Sequence, residues 1–200
     1  MSHSLVSGTR TRMIATAAGV LLGLVACAKQ EAPPDTAAAA PPPPPPAAAP
    51  AINDAQIAHI AVTANAIDSA AGELAKQKAS AKAVKDFAQT MVADHGGVNQ
   101  QAVALATKLA VTPEDNDVSR SLKTGADANI ANLQSLSGAA FDKAYIANEV
   151  AYHQAVLDAL DKTLVPGAQN AELKGLLEKV RPAFVAHLEH AKKIQAGLPQ

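Results

Sequence analysis

Apolar residues in the last three quarters of this 200-residue chain recur at alternating steps of three and four. Ile57, Ile60, Ala64, Ile67, Ala71 and Leu74 keep that rhythm, as do Val84, Phe87, Met91, His95, Val98, Ala102, Leu105 and Leu109. A third run reads Ile146, Val150, His153, Leu157, Leu160 and Leu164. A fourth reads Leu173, Leu177, Val180, Phe184, His187, Ala191 and Ile194. Such spacing lines each run along one face of an α-helix. No stretch alternates with period two over the length of a strand, so the chain reads as all-α.

Breaks between the runs set the topology. Asn53 or Asp54 caps the first helix, with Gln56 completing a capping box on Asn53. Ser80 is expected to cap the second helix, which breaks at Val111-Thr112-Pro113. A shorter, less regular helix over about 118–136 carries Leu122, Ile130, Leu133 and Leu136, and Ser137-Gly138 ends it. Pro166-Gly167 stops the next helix and Asn170 caps the last. Short links near Ser80 and Pro166 make two antiparallel hairpins, joined by a long connection that holds the short helix. That is the ferritin-like antiparallel four-helix bundle, with a short extra helix in the crossover. The 34 Ala residues of 51–200 imply closely approaching helices, and only five aromatics (Phe87, Phe141, Tyr145, Tyr152 and Phe184) leave narrow seams rather than a bulky core.

The first 50 residues are different material. Arg10 and Arg12 precede an apolar run from Met13 to Ala26. It is shorter than the ~20 residues that span a bilayer and suits the h-region of a secretory signal. Leu24-Val25-Ala26-Cys27 follows, which resembles the bacterial lipobox, where cleavage precedes a cysteine that receives a thioether-linked lipid. Cys27 is the only cysteine in the chain. Residues 1–26 therefore read as a lipoprotein signal peptide and Cys27 as the lipidation site, anchoring the protein in a membrane. Ala28, rather than Asp, after the cysteine favours the outer membrane, facing the periplasm. Residues 27–50 form a tether: 18 of the 23 residues after Cys27 are Ala or Pro, and the run Pro41 to Pro46 suits extended polyproline II. The bundle domain occupies 51–200.

Charge and cysteine usage exclude several functions. The balance of 17 Lys+Arg against 18 Asp+Glu offers no electrostatic footprint for nucleic acid. One cysteine rules out a disulfide framework, a four-cysteine zinc site and a cysteine-ligated iron–sulfur cluster. Gly-rich phosphate loops and nucleophile elbows are absent.

Several segments resemble one bacterial family of unknown function. Ala88-Gln89-Thr90-Met91-Val92-Ala93-Asp94-His95 is similar to its fA..Mv.DH signature. Gly138 to Tyr145 (GAAFDKAY), Glu149 to His153 and Pro182 to Leu188 (PAFVAHL) resemble it too. The resemblance covers nearly all of 51–200. It implies a ferritin-like fold and export to the envelope, in a family whose members are often labelled outer membrane proteins; it implies no activity.

His95, His153 and His187 stand where Leu or Ile is expected, on three different helices. Counted from the nearer hairpin turn, His95 and His153 lie 15 residues deep, His187 lies 19 and Asp68, at the edge of the first stripe, lies 12. At 1.5 Å per residue the His153 and His187 backbones differ by roughly 6 Å in depth. Asp94 flanks His95, and Glu149 lies one turn before His153. Three buried imidazoles need partners, at a cost of a few kcal/mol if they have none. One solution is a metal, iron or zinc, held by His95, His153, His187 and Asp68. The other is a hydrogen-bonded polar layer that fixes register. Carboxylate-bridged di-iron sites use Glu-x-x-His, but Val92, Val150 and Phe184 stand three residues before the histidines. That argues against a classical di-iron centre. Glu73, off the stripe, and His59 and His190, at its boundary, are not expected to be ligands. Gly96-Gly97 and Pro182 are expected to permit close packing or a kink near the histidines. The sequence alone favours a lipid-anchored envelope protein with a non-enzymatic binding or structural role, its candidate partners the membrane and an unidentified envelope protein. The alternative is a metal-binding redox or storage domain.

Overall fold

The computed structural model describes residues 52–199, and every regular element among them is helical. The expected signal peptide, the tether and Cys27 lie outside the described residues. α1 spans Asp54–Lys78, α2 Lys82–Lys108, α3 Asp117–Ser135 and α4 Gly138–Ala159. α4 runs directly into a π-helical turn, Leu160–Leu164, and the three-residue α5, Val165–Gly167; α6 spans Ala171–Gly197. No helix among the described residues is long and apolar enough to cross a membrane.

Most helix ends follow from local chemistry. Asn53 and Gln56 form the expected capping box on α1, and Asn170 accepts from the N–H groups of Glu172 and Leu173 at the start of α6. A second box, Asn116 with Ser119, opens α3. α2 closes with Ala110 in the left-handed region (φ 52°) and Val111 N–H bonded to Ala106 O, which satisfies carbonyls that the helix end leaves open. Gly138 also has positive φ (57°), so the Ser137-Gly138 pair starts α4 as well as ending α3.

Ser80 does not cap α2. The N-cap is Ala81, whose side chain has nothing to offer. Instead Asp142 reaches across from the first turns of α4 and accepts from Ser80 N–H, Ser80 Oγ and Ala81 N–H at 2.9, 2.5 and 2.9 Å. The other hairpin turn is held in the same way. Asp54, in the first turn of α1, accepts from Gln169 N–H and Asn170 N–H at 2.8 and 2.9 Å. Each hairpin turn is thus fastened by a carboxylate of the opposite pair. α1 packs along α2 and α4 along α6, while α3 lies against α1 and α4.

The apolar core comes in two parts. One contains Ala71, Val84, Phe87, Met91, Phe141, Tyr145 and Ile194; the other contains Ile57, Ile60, Leu157, Leu177 and Phe184. Between them, in sequence along all four long helices, sit buried polar side chains: Asn65 and Asp68 on α1, His95 on α2, Glu149 and His153 on α4, and His187 on α6. The α1 stripe differs from the expected one. Ile57, Ile60 and Ala71 are buried as expected, but Ala64, Ile67 and Leu74 are only half-buried, and Ala58, Thr63, Asn65, Asp68, Gly72 and Ala75 turn inward with the first three. Ile67 lines a space between α1, α3 and α4 instead.

Gly96 and Gly97 do not mediate close packing. A Cβ on Gly97 would meet nothing within 4 Å, and one on Gly96 only Ser69 Oγ at 4.0 Å. The close approach is at Gly72, where a Cβ would lie 2.9 Å from Val92 Cγ2 and 3.0 Å from the Ala88 carbonyl oxygen. Gly72→Ala should therefore destabilise the domain by about 1–3 kcal/mol through overpacking, although Ala is the better helix former. Gly97→Ala should stabilise it by up to about 1 kcal/mol. Urea unfolding of the two variants measures both; equal signs for the pair would contradict this packing.

Candidate functional site

The polar layer brings together all four residues singled out from sequence. His95 Nε2 lies 3.3 Å from His153 Nε2 and 3.3 Å from Asp68 Oδ2, and His153 Nε2 lies 3.6 Å from the same oxygen. A ring nitrogen of His187 lies within 4.8 Å of those of the other two histidines, and its ring centroid is 5.3 Å from that of His95 and 5.4 Å from that of His153. The difference in backbone depth between His153 and His187 is closed by side-chain direction. Each Cα–Cβ bond leans toward its helix N-terminus, so His187 on α6 leans back toward the hairpin turn while His153 on α4 leans away from it. Asp68 on α1 and His95 on α2 converge for the same reason.

Hydrogen bonds at the far side of each ring decide which nitrogen carries the proton. Asn65 Nδ2 donates to Ala61 O (2.8 Å), which leaves its Oδ1 to accept from His95 Nδ1 (2.9 Å). His153 Nδ1 donates to the carbonyl of Glu149 (3.0 Å), with Glu149 Oε2 at 3.5 Å. Each neutral ring then has its bare lone pair on Nε2, and the two lone pairs face each other and a carboxylate oxygen. His187 Nε2 donates to Asp94 Oδ2 (2.8 Å), leaving a bare Nδ1. That Nδ1, both oxygens of Asp68 and Glu149 Oε2 are buried without a hydrogen-bond partner. Phe184 stacks on His95 with ring centroids 4.8 Å apart and keeps that side of the cluster dry.

Burial sets the charges. Loss of solvent, followed by the neighbouring histidines, pushes His95 down to about 3. Loss of solvent likewise takes His153 down to about 4, against the opposing Glu149 carbonyl. His187 is lowered by burial despite Asp94. The imidazoles are therefore neutral near pH 7, the form that binds metals. Burial pushes Asp68 up to about 7, and burial with the nearby Asp68 charge holds Glu149 well above the usual carboxylate range. A proton on Asp68 relieves one of the facing lone pairs; a cation among them relieves all at once.

Asn65 was not legible as part of this site, and Asp94 and Glu149 were legible only as flanking carboxylates. Asn65 stands three residues before Asp68 and shares its face, but the more hydrophobic Ala64 and Ile67 drew the stripe one residue away. Glu73 is exposed and pairs with Lys76. His59 sits at the edge beside Asp115 at 3.8 Å, and His190 is exposed, its ring edge-on to Phe87. None of the three enters the cluster. The second triad of potential donors is Asp68, Glu149 and His153, so Glu149 belongs to the site as well.

These features define an all-helical bundle domain with a buried imidazole–carboxylate cluster at mid-height. The chain belongs to the family described as a domain of unknown function (DUF4142), whose pattern matches residues 39–194. No curated protein and no solved structure matches it.

The raised Asp68 pKa has a definite consequence for stability. In the folded metal-free protein Asp68 keeps its proton up to about pH 7, against 3.8 ordinarily, so the folded state binds more protons than the unfolded one in that window. Stability from this group therefore falls as pH rises through it. Asp68→Asn removes the buried charge and supplies N–H donors to the bare imidazole nitrogens. It should stabilise the metal-free protein at pH 8 by a few kcal/mol, which raises its Tm by several degrees, and by nothing below about pH 4. Thermal melts in chelator across that range test this, and a destabilised Asp68→Asn at pH 8 would show that the carboxylate has a structural role.

Proposed function

We propose that this domain binds one divalent transition-metal ion, zinc or iron, through His95, His153, Asp68 and His187. The observation that carries the reading is the triangle of donors. Around a tetrahedral ion with ligand bonds of about 2.0–2.1 Å, neighbouring donors stand about 3.3–3.4 Å apart; the three contacts here are 3.3, 3.3 and 3.6 Å. Support comes from the outer partners too. Ligand histidines characteristically donate their second N–H to a carbonyl, carboxylate or amide oxygen, which orients the ring. Glu149 O, Asp94 and Asn65 are such partners for His153, His187 and His95. One carboxylate with three neutral imidazoles suits a single ion; the missing Glu-x-x-His motif argues against a classical di-iron pair.

The wider setting is part of the same proposal. The two cross-fastened hairpins and the long connection holding α3 support a ferritin-like four-helix arrangement. The lipobox-like Leu24-Val25-Ala26-Cys27 supports a domain tethered by lipidated Cys27 to the outer membrane, facing the periplasm. A metal-binding role there is non-enzymatic in itself, serving storage, buffering or electron transfer.

Two measurements test these readings. Purified protein loaded with zinc or ferrous ion should hold one ion per chain by elemental analysis. At 100-fold excess over Kd the ion should stabilise the fold by about 2.7 kcal/mol. His95→Ala and His153→Ala should each lose both effects. Absence of bound metal after loading, with an unchanged Tm, would overturn the site. For the anchor, Cys27→Ser should move the protein from the membrane to the soluble fraction, and a variant that stays with the membrane would remove lipidation from the account.

A further inference from the structure

A second feature lies beside the imidazole cluster and is chemically its opposite. A cavity of about 120 Å³ lies in the apolar half of the core that contains Ile60 and Leu177, and its walls come from α1, α2, α4, α6 and the start of α3. Its polar neighbours are all engaged elsewhere. Asp54 accepts from Gln169 and Asn170 N–H, Asn65 is bonded to Ala61 and His95, and the Tyr152 hydroxyl donates to Ala64 O at 2.9 Å. Water entering the cavity would find no partner, and a water needs two to four. Protein interiors seldom keep voids much larger than a water molecule, and an unfilled one weakens the fold in proportion to its volume. Dry cavities of about 150 Å³ with such walls take up benzene or xenon.

The ends of the cavity are also informative. Val118 lines it and is 47% exposed, one of two large apolar side chains among the described residues that are so open. The cavity thus reaches the surface beside the connection between α2 and α3. At the inner end the wall includes Phe184, stacked on His95, and Asn65, which holds the His95 proton.

We propose that this cavity is a binding site for a small uncharged apolar molecule, about one aromatic ring or a short alkyl chain in size, seated against Phe184 and Asn65. The absence of any free charge or hydrogen-bonding group in the walls excludes carboxylates, phosphates and sugars as occupants. The site sits one side chain away from the imidazole cluster, so its ligand lies next to whatever ion that cluster holds. The cavity is formed by apolar packing alone and is independent of the metal reading.

The test uses metal-free protein in chelator, with benzene as the probe and benzoate as its charged counterpart. Benzene should raise the Tm of the unaltered protein and give a saturable heat of binding, while benzoate at equal concentration should do neither. Ala102→Leu, on α2, and Ala61→Leu, on α1, each place a larger side chain in the cavity. Both should fold by circular dichroism and weaken benzene at least tenfold; if one fails to fold, the other still decides. No effect of benzene on the unaltered protein overturns the proposal, and so does equal binding to the filled variants. Loss of metal binding in the histidine variants bears on the other site only.

Discussion

Facing lone pairs at the centre of the bundle are the constraint around which the rest of this fold is arranged. Apolar side chains at His95, His153 and His187 would give one continuous core. Instead the core is divided, and the dividing layer sets bare nitrogens and a carboxylate 3.3–3.6 Å apart. Such contacts repel unless a proton or a cation lies between them. Outer hydrogen bonds from Asn65, Glu149 O and Asp94 prevent the rings from escaping by changing tautomer or turning over. The imidazole N–H groups are turned outward, so inside the layer only carboxyl protons are left to share among several acceptors.

Holding acceptors together requires that the two hairpins keep their relative height. A slide of one turn, about 5.4 Å, would carry a histidine out of the layer. The cross-fastened turns oppose such a slide. Asp142 takes three hydrogens from the turn between α1 and α2, and Asp54 takes two from the turn before α6. Each is a charge-assisted contact, among the stronger hydrogen bonds proteins make. At Gly72 the α1–α2 seam is so narrow that a Cβ would clash with Val92 and the Ala88 carbonyl, which limits how far the two helices can be respaced. Height and spacing are thus set by groups remote from the polar layer, which leaves its members free to be chosen for chemistry.

How much of this was legible from residues differs by level. Helix positions followed from the three-and-four rhythm and from Asn53, Gln56 and Asn170, because those signals are local. The three histidines stood out because each broke an apolar stripe. The Ser80 assignment failed because Ser80 gives its N–H and hydroxyl to Asp142, 62 residues away, and no local pattern encodes a partner at that distance. The α1 stripe holds at Ile57, Ile60 and Ala71 but lies one residue out at Ala64, Ile67 and Leu74, for a different reason. Hydropathy ranks Ile67 above Asp68, but α3 covers Ile67 while the interior takes Asp68. A buried polar layer inverts the rule by which a core is recognised, so the α1 residues that join it, Asn65 and Asp68, are those that hydropathy turns outward.

The surroundings of the layer are as unequal as its donors. On one side Asp68, Glu149 and Tyr152 border a cavity of about 320 Å³ under α3, with Ser121, Asn129 and Asn148 among its other walls. That space has polar groups to hold water and small hydrated solutes. On the other side Phe184 and Asn65 separate the imidazoles from the dry cavity. An ion in the layer would exchange solvent and protons through the α3 side, where its carboxylates lie. Its electrostatic field would stay strong toward the apolar side, where little screens it. A centre built for storage alone needs only the first approach. The second approach, lined by apolar side chains and open beside Val118, is the one the proposed uncharged ligand would take, and it would bring that ligand next to an ion in the layer without bringing water.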